Sequence, residues 1–406
     1  MTVKITLLGH ACLRIETPKL KFVTDPWLVG SAFCGGWQPA LVPPDNWQAT
    51  INDVDFIYIS HNHNDHLNEN TLAYIRKDIP MLIPNFETKS VERPLRNLGF
   101  YNFIPLDFCV THTAKDCVFK IYPSGDDRDD SGLLMGYQNF KFLTSVDSNN
   151  LNKGKLPDNI TVYASSFAGG ASGYPLLFNN KTEQEKIKIL ENNLRTLKHN
   201  IKTTIEKTKA KYYLPYAGFN YIENDYVRKT DILLDVKDYE DNKYQLLRSD
   251  LHDKWTFKTP TLECTASSIV RPKKHDDYDL YKTSGDTFSL KDTYKYFENS
   301  NFKKNLKLYL DVGLPEWHQI DYSLCINFEN NRIEQVKENY NALNIKDEKN
   351  PCLYLYVNCN AWKYMLENKR PIEDIFIGNA CRIDRYPDSY DVDKDFWHHF
   401  SNIYTG

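Results

Sequence analysis

Residues 61–66 read His61-Asn62-His63-Asn64-Asp65-His66, directly after the apolar run Val54-Asp55-Phe56-Ile57-Tyr58-Ile59-Ser60. Four side chains able to bind a metal therefore share one tight loop at the end of a buried strand. Imidazoles one residue apart can grip one cation, and Asp65 and His66 are placed to face a second one beside it. His61, His63, Asp65 and His66 are read as metal ligands, with two metal ions as the expected cofactors. Asp65 doubles as a candidate proton acceptor, and His10, on the Gly9-His10 turn, is a second catalytic candidate. In Gly169-Gly170-Ala171-Ser172-Gly173 no bulky side chain obstructs a ligand. Its backbone N–H groups could meet a phosphate or sugar, which makes Gly169, Gly170 and Ser172 the cofactor-binding candidates.

The elements that must position these groups alternate like packed sheets. Val3, Ile5 and Leu7 share one face of a strand, and Cys12-Leu13-Arg14-Ile15 returns from the Gly9-His10 turn as a hairpin. Leu20-Lys21-Phe22-Val23 leads to Asp25, Met81-Leu82-Ile83-Pro84 follows the metal loop, and Phe140-Lys141-Phe142-Leu143-Thr144 delivers Asp147 at its end. Strands with helices between them, and acidic or imidazole groups at their C-terminal ends, predict two sheets flanked by helices. One helix is explicit: Ile187, Leu190, Leu194, Leu197, Ile201 and Ile205 form a single stripe, with Thr182 and Glu185 spaced as a capping box.

Several strings carry a family resemblance. The H-x-H-x-D-H loop and the Gly9-His10 turn resemble the metallo-β-lactamase superfamily, which implies an αββα sandwich hosting one or two metal ions. Within it, Thr24-Asp25-Pro26-Trp27-Leu28, Ser31-Ala32-Phe33, Gly36-Trp37, Phe167–Pro175, Pro215-Tyr216-Ala217-Gly218 and Phe396-Trp397-His398-His399-Phe400 resemble the CMP-N-acetylneuraminate hydroxylase family. The resemblance implies that Asp147 is the carboxylate between two metals. Near position 125 the superfamily usually supplies a histidine. Here Ser124-Gly125-Asp126 stands in that place, so Asp126 is the expected substitute ligand. The usual last histidine is replaced by Tyr216-Ala217. Oxygen in place of nitrogen shifts the expected metal toward iron, with zinc or manganese as alternatives.

The animal hydroxylases carry a Rieske iron–sulfur domain ahead of this region. Here none of the nine cysteines has a histidine two residues on, and only Cys109 and His112 keep the other spacing of that motif. An oxygenase built on this chain is therefore expected to take electrons from an external donor. The leading expectation is a dinuclear iron oxygenase or hydroxylase acting on a nucleotide-activated sugar or similar small polar metabolite. The alternative is a hydrolase of a phosphoester, amide or lactone.

The bulk composition bounds partners and place. A net charge of −4 with no basic block argues against nucleic acid, and no apolar stretch is long enough for a membrane. The N-terminus opens directly on a strand pattern, and nine cysteines without C-x-x-C spacing suit a reduced, cytoplasmic setting. Aromatic content, chiefly 27 Tyr and 21 Phe, implies a well-packed chain. The composition changes near residue 230, which predicts a metal-binding domain over 1–230 and a C-terminal α+β domain over 231–406. The strands Ser323–Phe328 and Leu353–Val357, followed by a Trp362-bearing helix, are loosely similar to a sterol-carrier domain.

Overall fold

The computed structural model describes residues 1–126, 128–170, 173–222, 224, 227, 232–272, 290–313, 320–336 and 350–400, with 393, 394 and 398 described by main chain only. Two large sheets face each other. The first is built from β1 (Thr2–Leu7), β2 (Leu13–Glu16) and β3 (Lys21–Thr24), an antiparallel meander. After β4 (Trp37–Pro39), the helices α1 (Trp47–Asn52), α2 (Glu69–Leu72) and α3 (Glu92–Asn97) precede β5 (Phe56–Tyr58), β6 (Met81–Pro84) and β7 (Phe103–Leu106) in turn. These strands continue the sheet in parallel from β3.

The second sheet comprises β8 (His112–Ala114), β9 (Cys117–Pro123), β10 (Ser131–Tyr137), β11 (Phe140–Val146) and β12 (Val162–Ser166). It continues past α4 (Glu183–Thr208) with β13 (Tyr212–Tyr216) and, after β14 (Asn220–Ile222), ends on β15 (Gln245–Leu246). From β11 onward its neighbours run parallel.

Alternation along the strands builds the layers, because successive side chains point to opposite faces. Phe56 and Tyr58 of β5 face inward with Val3, Ile5, Phe119, Met135, Phe142 and Leu214, forming the core between the sheets. Ile57 faces outward and packs with Trp47, Ile51, Leu72 and Leu95 of the first three helices. On the other side Leu143, Tyr163 and Tyr213 pack with Ile201 and Ile205 of α4. The helix starts as predicted: Glu185 N donates to Thr182 Oγ1, and Thr182 N donates to Glu185 Oε2. The αββα sandwich expected from the sequence is present.

The sandwich reaches beyond residue 230. β16 (Lys254–Lys258) pairs antiparallel with β1, and β17 (Glu263–Ser267) pairs with β16. Trp255 and Phe257 are buried in the inter-sheet core; a Phe side chain alone contributes about 1.5–3 kcal/mol on burial. A boundary at 230 would cut this pairing, so we propose dividing the chain after Ser267 instead.

The remainder forms a five-stranded mixed sheet in the order β20-β19-β18-β21-β22, from β18 (Lys307–Gly313), β19 (Ile320–Asn327), β20 (Arg332–Val336), β21 (Cys352–Asn358) and β22 (Cys381–Tyr386). It carries α5 (Leu290–Glu298), α6 (Cys359–Glu367) and α7 (Glu373–Ile377). Its core also takes in Trp27, Phe33, Trp37, Leu176 and Phe178 of the sandwich. The joint is close: Trp37 Nε1 donates to Ile377 O at 2.9 Å, and a Cβ on Gly36 would sit 1.8 Å from Gly378 O. Among the described residues no helix is long and apolar enough to cross a membrane.

Candidate metal centre

Parallel neighbours end at one level, so β3, β5, β11 and β13 deliver their C-terminal residues to one region. Turning the chain there costs backbone strain. Asp25 after β3, Val146 at the end of β11 and Ala217 after β13 have φ values of 35°, 52° and 51°. These left-handed positions are unusual for non-glycine residues, above all for a β-branched one, and they aim neighbouring side chains into the site. The metal loop itself is a tight turn, with His66 N donating to His63 O at 3.0 Å. Asn64 and Asn68 hold it. Asn64 Oδ1 accepts from Phe33 N, while Asn68 donates to Asn64 O and caps α2 through Thr71 N.

Two groups of potential donors result. Atoms of His61, His63 and Asp147 lie within 4.8 Å of one another, and so do atoms of His10, Asp65 and His66. Asp147 stands between the groups, with Oδ2 4.0 Å from His61 Nε2 and 3.2 Å from His66 Nε2. Asp65 Oδ2 lies 3.3 Å from both His66 Nε2 and His10 Nε2. The His10 ring is buried, edge-on to Trp27 and Trp37. The opposite imidazole faces meet further polar groups. His66 Nδ1 lies 3.3 Å from Asp25 Oδ2, and His61 Nδ1 lies 2.9 Å from Ser60 Oγ and 3.5 Å from Asp130 Oδ1. Ser60 ties the two sides together, since its N and Oγ both donate to Asp25. Such partners on the far ring nitrogen fix an imidazole's orientation and tautomer.

The electrostatics ask for a cation. Burial keeps His61 well below the usual imidazole range and pushes His63 down to about 4, so both offer a neutral nitrogen lone pair. Burial works against charge at His66 too, but Asp65 and Asp147 outweigh it and raise that ring well above its ordinary value. Burial alone would raise Asp65, yet His66 and His10 hold it well below the usual carboxylate range. Asp130, buried and beside Asp147, is pushed up to about 8. His10 Nδ1, both ring nitrogens of His66, Asp65 Oδ1 and Asp147 Oδ1 are buried and make no aligned hydrogen bond within the protein. Orphaned nitrogens and carboxylate oxygens converging on one region fit metal coordination.

The sequence-derived candidates fare unequally. His61, His63, Asp65, His66, Asp147 and His10 are brought together. Asp126 is not: its Oδ2 accepts from Arg128 Nε at 3.1 Å and Nη2 at 2.9 Å, and the pair stays at the surface. The acidic residue that this loop turns inward is Asp130, because Ser124 N bonds Asp130 O and Ser131 N bonds the Asp130 carboxylate. Gly169 and Gly170 both have φ of 80°, and a Cβ on Gly169 would meet Leu194 of α4 at 2.4 Å, so packing alone requires glycine at 169. Ser172 lies outside the described residues. Tyr216, read with Ala217 as the replacement for a histidine usual in the superfamily, shares a hydrogen bond with Thr144 Oγ1. His399 bonds Ser300 O among the C-terminal aromatics. Sequence reasoning missed Asp25, Ser60 and Asp130. Asp25 had a signal, since it ends a strand within Thr24-Asp25-Pro26-Trp27-Leu28, one of the strings that carry the family resemblance.

Comparison with known proteins agrees with this architecture. Residues 4–168 match the family described as the beta-lactamase superfamily domain. The chain is 27% identical to the cytidine monophosphate-N-acetylneuraminic acid hydroxylase of Xenopus laevis, covering 98% of this chain and 71% of that protein. The Danio rerio hydroxylase is also 27% identical, over 98% of this chain and 72% of its own length. Among solved structures, CmlA, a diiron beta-hydroxylase from Streptomyces venezuelae, is 18% identical with a TM-score of 0.44, over 63% of this chain and 54% of its own. Isothiocyanate hydrolase from Delia radicum gut bacteria is 14% identical with a TM-score of 0.40, over 63% and 98%. The chain is thus similar to the beta-lactamase superfamily domain over residues 4–168 and, over nearly its whole length, to the cytidine monophosphate-N-acetylneuraminic acid hydroxylases.

Proposed function

We propose that this protein is a metal-dependent hydroxylase acting on a nucleotide-activated sugar or a closely similar small metabolite. One observation carries the reading: two adjacent donor groups with orphaned atoms, in a chain 27% identical to hydroxylases across 98% of its length. In this reading His61, His63 and Asp147 would hold one ion, and Asp65, His66 and His10 would hold the other. Asp25 and Asp130 orient the imidazoles from behind. His10 suits a ligand better than a proton carrier, because its ring is enclosed by Trp27 and Trp37 with Nε2 toward Asp65. A set of imidazoles and carboxylates suits iron, with zinc and manganese as competitors. When bound, two irons would supply the oxygen chemistry that no side chain possesses. The balanced reaction inserts one oxygen atom into a C–H bond and reduces the other to water with two electrons and two protons. Those electrons come from an external donor in this reading.

The test is metal analysis of protein purified without oxygen, followed by oxygen uptake with CMP-N-acetylneuraminate and a chemical reductant. Two irons per chain and substrate-dependent uptake are expected. Turnover under strict anaerobiosis with zinc alone would overturn the proposal in favour of hydrolysis.

A further inference from the structure

The loop joining β9 to β10 is fastened to the metal centre at both ends. Ser124 N donates to Asp130 O at 2.9 Å, which closes the loop on itself. At one end Ser124 Oγ bonds Ser148 Oγ at 2.9 Å, beside Asp147; at the other, Asp130 Oδ1 lies 3.5 Å from His61 Nδ1. Arg128 stands two residues before Asp130, with half of its side chain exposed.

Arg128 is only partly engaged. Nε and Nη2 both donate to one oxygen, Asp126 Oδ2, and among the described residues Nη1 makes no hydrogen bond. The partner carboxylate is nearly half exposed, so the pair is a surface contact that exchanges readily. The planar fork of the guanidinium matches the two oxygens of a carboxylate or phosphate.

We propose that Arg128, on the loop tethered to the metal centre at both ends, is a substrate-anchoring residue that takes an oxyanion group, carboxylate or phosphate, of the substrate. The proposal rests on the hydroxylase reading for the identity of the substrate, but not for the anchor itself. The substrate would exchange with Asp126 on the guanidinium, leaving the ligands of both ions in place.

The test is calorimetric titration of the metal-loaded wild type, Arg128→Gln and Arg128→Lys with CMP-N-acetylneuraminate, CMP, N-acetylneuraminate and inorganic phosphate. Metal content and Tm are measured in parallel. Arg128→Gln is expected to weaken CMP-N-acetylneuraminate at least tenfold with unchanged metal content, and Arg128→Lys to fall between. Whichever of CMP and N-acetylneuraminate shows the same loss identifies phosphate or carboxylate as the anchored group. Equal binding by wild type and Arg128→Gln overturns the anchor, as does loss of metal from both variants. If phosphate binds through Arg128 while the nucleotide sugar does not bind, the anchor stands and the nucleotide-sugar reading falls. No binding of any of the four anions to wild type overturns the anchor as well.

Discussion

Asp25 tests how far the carboxylates behind the imidazoles matter. It is fully buried, its carboxylate accepts from Ser60 N at 2.7 Å and Ser60 Oγ at 2.8 Å, and it faces His66 Nδ1 at 3.3 Å. Asp25→Ala leaves the Ser60 N–H buried without a partner, a loss of about 1–3 kcal/mol. Alanine also tolerates the left-handed backbone less well than aspartate, adding about 1 kcal/mol. Ser60 Oγ keeps His61 Nδ1 as a neighbour and adds little. The expected sum is about 3 kcal/mol, a fall in Tm of about 5 °C or more in metal-free protein. Asp25→Asn is the informative contrast. Its amide oxygen can still accept from Ser60, and burial already raises the Asp25 pKa, so losing the charge should change metal-free stability little. Metal affinity should nevertheless fall about 10–100-fold, as removing a carboxylate behind a ligating histidine typically does. Thermal melts in the presence of chelator, and metal competition against a chromophoric chelator, measure the two quantities separately. Wild-type metal affinity in Asp25→Asn would refute the assigned role.

Further outcomes follow from the same geometry. His61→Ala or His63→Ala should lose one metal ion with the fold retained, and Asp147→Asn should disturb both; elemental analysis reads each, and full metal content in His63→Ala protein would remove it from the ligand set. Asp126→Asn should leave metal content unchanged, because Asp126 is engaged by Arg128 and not by the donor groups; loss of an ion would return it to the ligands. Arg370→Ala should destabilise by about 3–5 kcal/mol in a melting experiment, since it strips the cation from Asp374 and Glu69, each held at 2.7 Å. Gly36→Ala should prevent the third sheet from docking, because its Cβ would overlap Gly378 O, and soluble protein with a wild-type Tm would contradict the packing.

The sandwich was legible because its strands alternate and its long helix has an unbroken stripe with a matching cap. Residues 81–84, predicted as a strand, form β6 over the same span, and the helix predicted from its apolar stripe at 187–205 is α4, capped at Thr182. The third sheet was less legible. Its interior strand β21 is buried along nearly its whole length, so it shows a continuous apolar run with no period to assign a face. The return of β16 and β17 to the first sheet leaves no local trace, because pairing with β1 joins residues some 250 apart.

The amino-acid sequence alone makes the candidate donors of the 61–66 loop legible: side chains one to three residues apart need only a turn to bring them together. Asp147 was legible as a candidate through the family resemblance, and a single strand carries it to the site. What tertiary structure decided is everything that depends on which strand ends are neighbours. His10 joins Asp65 and His66 through a turn between β1 and β2, far from the loop in sequence. Asp25 and Asp130 stand behind the imidazoles only because β3 pairs with β5 and the β9–β10 loop closes inward. Within a run of four aspartates and one arginine the sequence pointed to Asp126, and it is Asp130 that turns inward. A bond from Ser124 N to Asp130 O, and a guanidinium two residues from Asp126, settle which carboxylate faces the centre and which faces water.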